Sequence, residues 1–132
     1  MNDGRGPMPR TMNYGVLGAL SAFIAVLAGA FGAHALRAQL APDLLQAFET
    51  AARYQFYHSL ALILLALMLE RMPRRALRAA GALFVAGTVL FSGSLYALAL
   101  TGVRPIGAIT PFGGLCLLGG WIAMAVGLKG RG

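Results

Sequence analysis

The sequence predicts an all-α integral membrane protein: a four-helix bundle with short loops and both termini in the cytoplasm. Three observations carry this. Hydrophobic residues make up 58% of the chain and charged residues 11%, well below the roughly 25% charge of a soluble domain. The apolar residues gather into four runs, each close to the roughly 20 residues that cross a bilayer as a helix. The basic residues alternate in density between those runs, as they do in proteins oriented by the positive-inside rule.

The first element is a polar tail, residues 1–13, carrying Arg5 and Arg10. The first span follows from Tyr14 to Ala33. A rival reading takes this run and Ala33-His34-Ala35 as a signal peptide with its cleavage site. The run is longer than the usual h-region of about 7–15 residues, which favours a retained span. The segment 34–50 is the longest connection. Within it Pro42 suits the first turn of a helix, where its missing N–H costs nothing, and Asp43 places negative charge at the positive end of the helix dipole. A single helix is therefore expected from Pro42 to Leu69, with the second span at 51–69. Its roughly 28 residues would extend about 42 Å, against about 30 Å of hydrocarbon, so its first two turns should project from the membrane or bend into its outer interface. Glu49 and Arg53, four residues apart in the favourable order, are expected to form a solvated surface pair.

The third span is 76–100 and the fourth 111–128, followed by the tail 129–132. The transmembrane domain is thus 14–128. Arg5, Arg10, Arg71, Arg74, Arg75, Arg78, Lys129 and Arg131 fall on one side; Arg37, Arg53 and Arg104 fall on the other. The denser side reads as cytoplasmic.

Composition excludes several functions. The formal charge of +7 flanks apolar runs instead of forming a stripe interleaved with aromatics, so no nucleic-acid partner is expected. Cys116 is the single cysteine, which rules out an internal disulfide and a cysteine metal site. No G-x-S-x-G, P-loop or H-E-x-x-H occurs, and the four acids, Asp3, Asp43, Glu49 and Glu70, lie at ends or edges. Acid–base catalysis has little to work with. Neither a metal nor another cofactor is expected: His34 at the exit of span one and His58 about 12 Å deeper are too far apart to share one ion.

Small residues recur at helical spacing. In span one they are Gly15, Gly18, Ala22, Ala25, Gly29 and Gly32; in span four Gly113, Cys116, Gly120, Ala123 and Gly127. Within lipid, close backbone approach holds helices together, and small side chains permit it. These seams, with Gly15, Gly18, Gly29, Gly32, Gly113, Gly120 and Gly127 as their glycines, are read as packing surfaces in preference to gating hinges.

The polar residues of the outer half form the one candidate site. His58 lies about 18 Å above the edge marked by Glu70, and Ser92 about 21 Å above that marked by Arg78. Tyr54, Gln55 and His58 fall near one face of span two; Ser92, Ser94 and Tyr96 lie on span three; His34 adds an anchor where span one ends. An ionisable residue at this depth is a functional candidate. The bland alternative is a neutral histidine bonded to Ser, Tyr or Gln to fix helix register.

The stretches GAFGAHAL (29–36), FETAARYQFYHSLAL (48–62), FSGSLYALALTG (91–102), GAITPFGG (107–114) and the GW at 120–121 together resemble the transmembrane protein 256 family, also called domain of unknown function 423. The resemblance implies a small four-span membrane protein, in bacteria one of the inner membrane, and transfers no substrate or catalytic residue. The expected role is that of a non-enzymatic structural or accessory component of the bilayer. Its partners would be lipid and either another membrane protein or a second copy of the chain. The alternative is a small transporter or channel built on the polar pocket.

Overall fold

The computed structural model describes residues 13–130. Tail positions 1–12 and 131–132, and with them the topology signals Arg5, Arg10 and Arg131, lie outside the described residues. All regular structure in that range is helical. Four helices are long and apolar enough to cross a membrane: α1 (Tyr14–Leu36), α2 (Pro42–Arg71), α3 (Arg75–Thr101) and α4 (Thr110–Leu128), the last preceded by a 3₁₀ turn, Arg104–Ala108.

Local chemistry sets the ends. The Asn13 side chain accepts from the Val16 N–H at 3.2 Å and caps α1, filling one of the orphan donors of a first turn. Pro42 and Pro111 stand in the first turns of α2 and α4. The α2–α3 connection is only Met72-Pro73-Arg74, where proline cannot continue a helix. At the far end of α3, Gly102 takes the left-handed conformation (φ 71°), and its N–H donates to Leu98 O at 2.8 Å. A side chain there would be strained, which is why glycine closes this helix.

One feature departs from regular α geometry. Residues Leu27–Gly32 of α1 form a π-helical segment before α geometry resumes at Ala33–Leu36. A π-turn holds more residues than an α-turn, so side chains beyond it rotate off the 3.6-residue pattern. The small-residue seam loosens there without leaving α2. Gly18 and Ala25 are buried, but Gly29 is exposed, and burial resumes at Ala33. Gly29 nonetheless still faces α2, where an added Cβ would meet Ala52 at 3.7 Å. Phe31, 68% exposed, points away from the protein.

The helices pack in chain order, α1 on α2, α2 on α3 and α3 on α4, so α2 and α3 are central. Leu62, Leu65, Leu77, Phe84, Leu117 and Met124 form the larger core, toward the arginine-rich end. A smaller core joins Ala33, Phe48 and Ala99 near the other end. Glycine permits the closest approaches. A Cβ on Gly18 would sit 2.6 Å from the Ser59 carbonyl oxygen; one on Gly113 would strike the backbone of Phe91. On Gly120 it would meet the Phe84 ring at 2.7 Å, and on Gly127 the Leu77 side chain at 2.5 Å. Gly32 faces the Phe48 ring at 3.0 Å, whereas Gly15 and Gly29 have ordinary clearances of 3.4 and 3.7 Å. Two further close approaches lie outside the predicted seams: Gly87 against Leu117, and Gly81 against the Tyr14 ring.

Polar contacts tie the ends. Arg74 donates to the Gly127 carbonyl in the last turn of α4, where a cation also suits the helix dipole. At the opposite end Arg104 pairs with Asp43 at 2.8 Å. The anticipated Glu49–Arg53 pair is not formed among the described residues.

Candidate functional site

Helix α2 carries most of the buried polar side chains, and its geometry divides them. Successive residues of an α-helix point about 100° apart, so Gln55 and Ser59 face one way while Tyr54 and His58 face another.

On the first face, Gln55 is 8% exposed. Its Nε2 donates toward Ser21 of α1, 3.1 Å from the backbone oxygen and 3.2 Å from the hydroxyl. Its Oε1 accepts from Tyr96 Oη of α3 at 2.7 Å. Ser59 Oγ lies 2.6 Å from the Gln55 carbonyl and 2.8 Å from Ser21 Oγ. One amide thus ties three helices together through groups that lipid could not satisfy.

On the second face, His58 is 5% exposed. Its Nδ1 is 2.7 Å from the Tyr54 carbonyl oxygen, which can only accept. Its Nε2 is 3.1 Å from Trp121 Nε1 of α4, and an indole N–H can only donate. The two contacts require opposite roles of the ring nitrogens. They define a neutral imidazole with its proton on Nδ1. Aromatic rings enclose it, with Phe84 and Trp121 centroids 5.6 and 5.8 Å away.

The serines of α3 serve other ends. Ser92 Oγ donates to the Ala51 carbonyl at 2.8 Å, binding α3 to α2. Ser94 Oγ donates to Phe91 O at 2.9 Å and shares a hydrogen bond with Thr110 Oγ1 at the start of α4. His34 is exposed in the last turn of α1, away from the buried cluster.

The expected single pocket is therefore resolved into separate pieces. Gln55 and Tyr96 belong together; His58 and Tyr54 belong together; Ser92 and Ser94 are interhelical ties; His34 stands apart. Sequence reasoning missed Ser21, Ser59, Thr110 and Trp121. Trp121 had a signal: it lies about 15 Å in from Pro111, half the hydrocarbon thickness and a depth close to that of His58. Among the described residues no three His, Cys, Asp or Glu side chains gather as a metal site would require.

Two lateral grooves flank the α2–α3 pair. One, of about 460 Å³, runs between α1 and α3 past Ser21, Gln55 and Tyr96. The other, of about 610 Å³, runs between α2 and α4 and is lined by Tyr54, Tyr57, His58, Phe91 and Trp121.

A core of four apolar helices, tied by buried polar contacts and opening sideways, defines a small multi-pass membrane protein. Residues 28–114 match the family described as "Protein of unknown function (DUF423)". The chain is 42% identical over 112 residues to the UPF0382 membrane protein YwdK of Bacillus subtilis, covering 84% of this chain and 91% of that one. It is 40% identical over 120 residues to the UPF0382 inner membrane protein YgdD of Escherichia coli, covering 89% and 92%. A UPF0382 membrane protein of Staphylococcus epidermidis is 45% identical over 111 residues, covering 84% and 90%. The chain belongs to the DUF423 family and is a multi-pass inner-membrane protein. No solved structure matches it.

Proposed function

We propose that this protein is a non-enzymatic accessory component of the bilayer, with both termini in the cytoplasm, whose buried polar residues hold its helices in register. One observation carries the reading: Gln55, His58, Ser59, Ser92 and Ser94, the five buried polar residues, all have hydrogen-bond partners within the chain, the hydroxyl of half-buried Thr88 being the exception among the described residues. A proton or solute relay needs groups free to exchange partners, and His58 has both ring nitrogens committed. Its partners outside the chain are lipid and, through lipid-facing apolar surface, a second copy or another membrane protein.

The transporter reading retains one supporting feature, the α2–α4 groove that reaches His58 from the side. Two substitutions separate the readings. Under the accessory role His58→Gln preserves the fold and His58→Leu destabilises it, with no change in solute or proton uptake into vesicles. A pH-dependent flux in the parent that disappears in a stable His58→Gln variant would replace the accessory role with transport.

A further inference from the structure

Hydroxyls inside membrane helices ordinarily satisfy themselves by bonding back to a carbonyl one turn earlier. Three hydroxyls of this chain follow that habit, while Ser92 crosses to the Ala51 carbonyl of α2. Ser59 bonds to Gln55 O at 2.6 Å, Ser94 to Phe91 O at 2.9 Å and Thr101 to Ala97 O at 2.6 Å. Thr88 does neither. Among the described residues its Oγ1 is the one buried side-chain polar atom without a hydrogen-bond partner. Leaving such a group unmade costs about 1–3 kcal/mol.

Thr88 lines the groove between α1 and α3. Thr88, Ser92 and Tyr96 recur every four residues along one face of α3, opposite Ser21 and Gln55. The remaining wall is aliphatic, and its volume of about 460 Å³ falls in the range of roughly 300–1,000 Å³ typical of small-molecule sites. We propose that this groove binds a neutral, apolar-tailed membrane molecule through a carbonyl oxygen that accepts from the Thr88 hydroxyl, the chemistry of a lipid quinone ring.

Three features select that chemistry. Threonine has two χ1 wells within a helix, and binding would place the hydroxyl in the well that faces the groove. The other polar groups of the wall are already engaged: Ser92 with the Ala51 carbonyl, Tyr96 with Gln55, and Gln55 with Ser21. That leaves Thr88 as the free donor, and a carbonyl is an acceptor alone. Thr88 also lies about 15 Å from the membrane edge marked by Arg78, at mid-hydrocarbon depth. Phospholipid headgroups lie at the interface, and no arginine or lysine lines the groove to hold a phosphate. The site goes beyond the accessory role and does not involve His58, so it stands or falls separately.

The test uses the intact protein in phosphatidylcholine nanodiscs and a radiolabelled benzoquinone bearing a decyl tail. A decylbenzene without carbonyls serves as control. Saturable binding of the quinone is expected, with the control bound much more weakly. Thr88→Val keeps the shape, removes the donor and should weaken quinone binding about tenfold, the loss of roughly one hydrogen bond. Gly93→Phe should abolish it. Gly93 also lines the groove, and a Cβ there meets nothing within 4 Å, so the ring fills the groove without displacing a helix. Thermal stability should be unchanged in Gly93→Phe and unchanged or higher in Thr88→Val, which removes an unpaired hydroxyl; if Gly93→Phe loses stability, Thr88→Val alone decides. Equal quinone affinity in parent and Thr88→Val, equal binding of the control, or no saturable binding by the parent would each overturn the proposal.

Discussion

The bond between Trp121 and His58 should be an energetic unit, and a double-mutant cycle measures it. Trp121→Phe keeps an aromatic ring beside Phe84, whose centroid is 4.8 Å from that of Trp121, but removes the N–H that reaches His58 Nε2 at 3.1 Å. The imidazole is then left with an acceptor that nothing fills. Trp121 is 44% exposed; in water that exposure would let solvent substitute. Here the exposed side faces hydrocarbon, which offers no donor. The expected loss is about 1 kcal/mol, between the roughly 0.6 kcal/mol average for hydrogen bonds in membrane helices and the 1–3 kcal/mol of an orphaned group. His58→Leu alone orphans the indole N–H by the same logic and also removes the imidazole packed at 5.6 Å from Phe84. The double variant has no orphan. Its loss should fall short of the sum of the single losses by about 1 kcal/mol, the coupling of a pair in direct contact. Reversible unfolding in mixed micelles, followed by circular dichroism, gives the four free energies. Additivity within about 0.3 kcal/mol would refute the pairing.

Two further outcomes are expected. Gly113→Ala drives a methyl into the Phe91 backbone, which cannot rotate aside, and Gly18→Ala meets the Ser59 carbonyl oxygen at 2.6 Å; each should cost about 1–3 kcal/mol in the same unfolding assay. Gly29→Ala, with Ala52 Cβ 3.7 Å away, should be neutral, and equal tolerance at all three positions would remove close packing as the role of these glycines. A reporter fused after Gly132 should behave as cytoplasmic, given the excess of arginine on that side; periplasmic activity of the fusion would invert the topology.

The four spans were legible because hydropathy and length are properties of a segment alone. The start of α2 at Pro42 was legible for the same reason, since proline and aspartate act within one turn. The site was legible only as a depth. His58 was recognisable as a buried ionisable residue, but its partner is 63 positions away in sequence, and the pairing depends on α4 lying against α3. By depth alone Ser92 could meet His58, as could Ser94 or Tyr54. Instead Ser92 turns to the Ala51 carbonyl, because depth fixes height along the membrane normal and leaves rotation about each helix axis undetermined.

The rotation of α1 was the least legible of all. A regular 3.6-residue repeat projects Gly29 onto the face of Gly18 and Ala25; within the π segment Leu27–Gly32 it does face α2, but only at the 3.7 Å of an ordinary contact with Ala52. The consequence is specific. One turn beyond Gly29, Gly32 meets the Phe48 ring at 3.0 Å, and Ala33 joins Phe48 and Ala99 in the smaller core. Phe48 in turn lies edge-on to Tyr96, with ring centroids 5.2 Å apart. Tyr96 holds Gln55. The irregular turn therefore sets the contact from which the Gln55 network is positioned, and the glycines of GAFGAHAL serve two different ends: Gly32 admits the phenyl ring, while Gly29 lies within the turn that brings Gly32 to it.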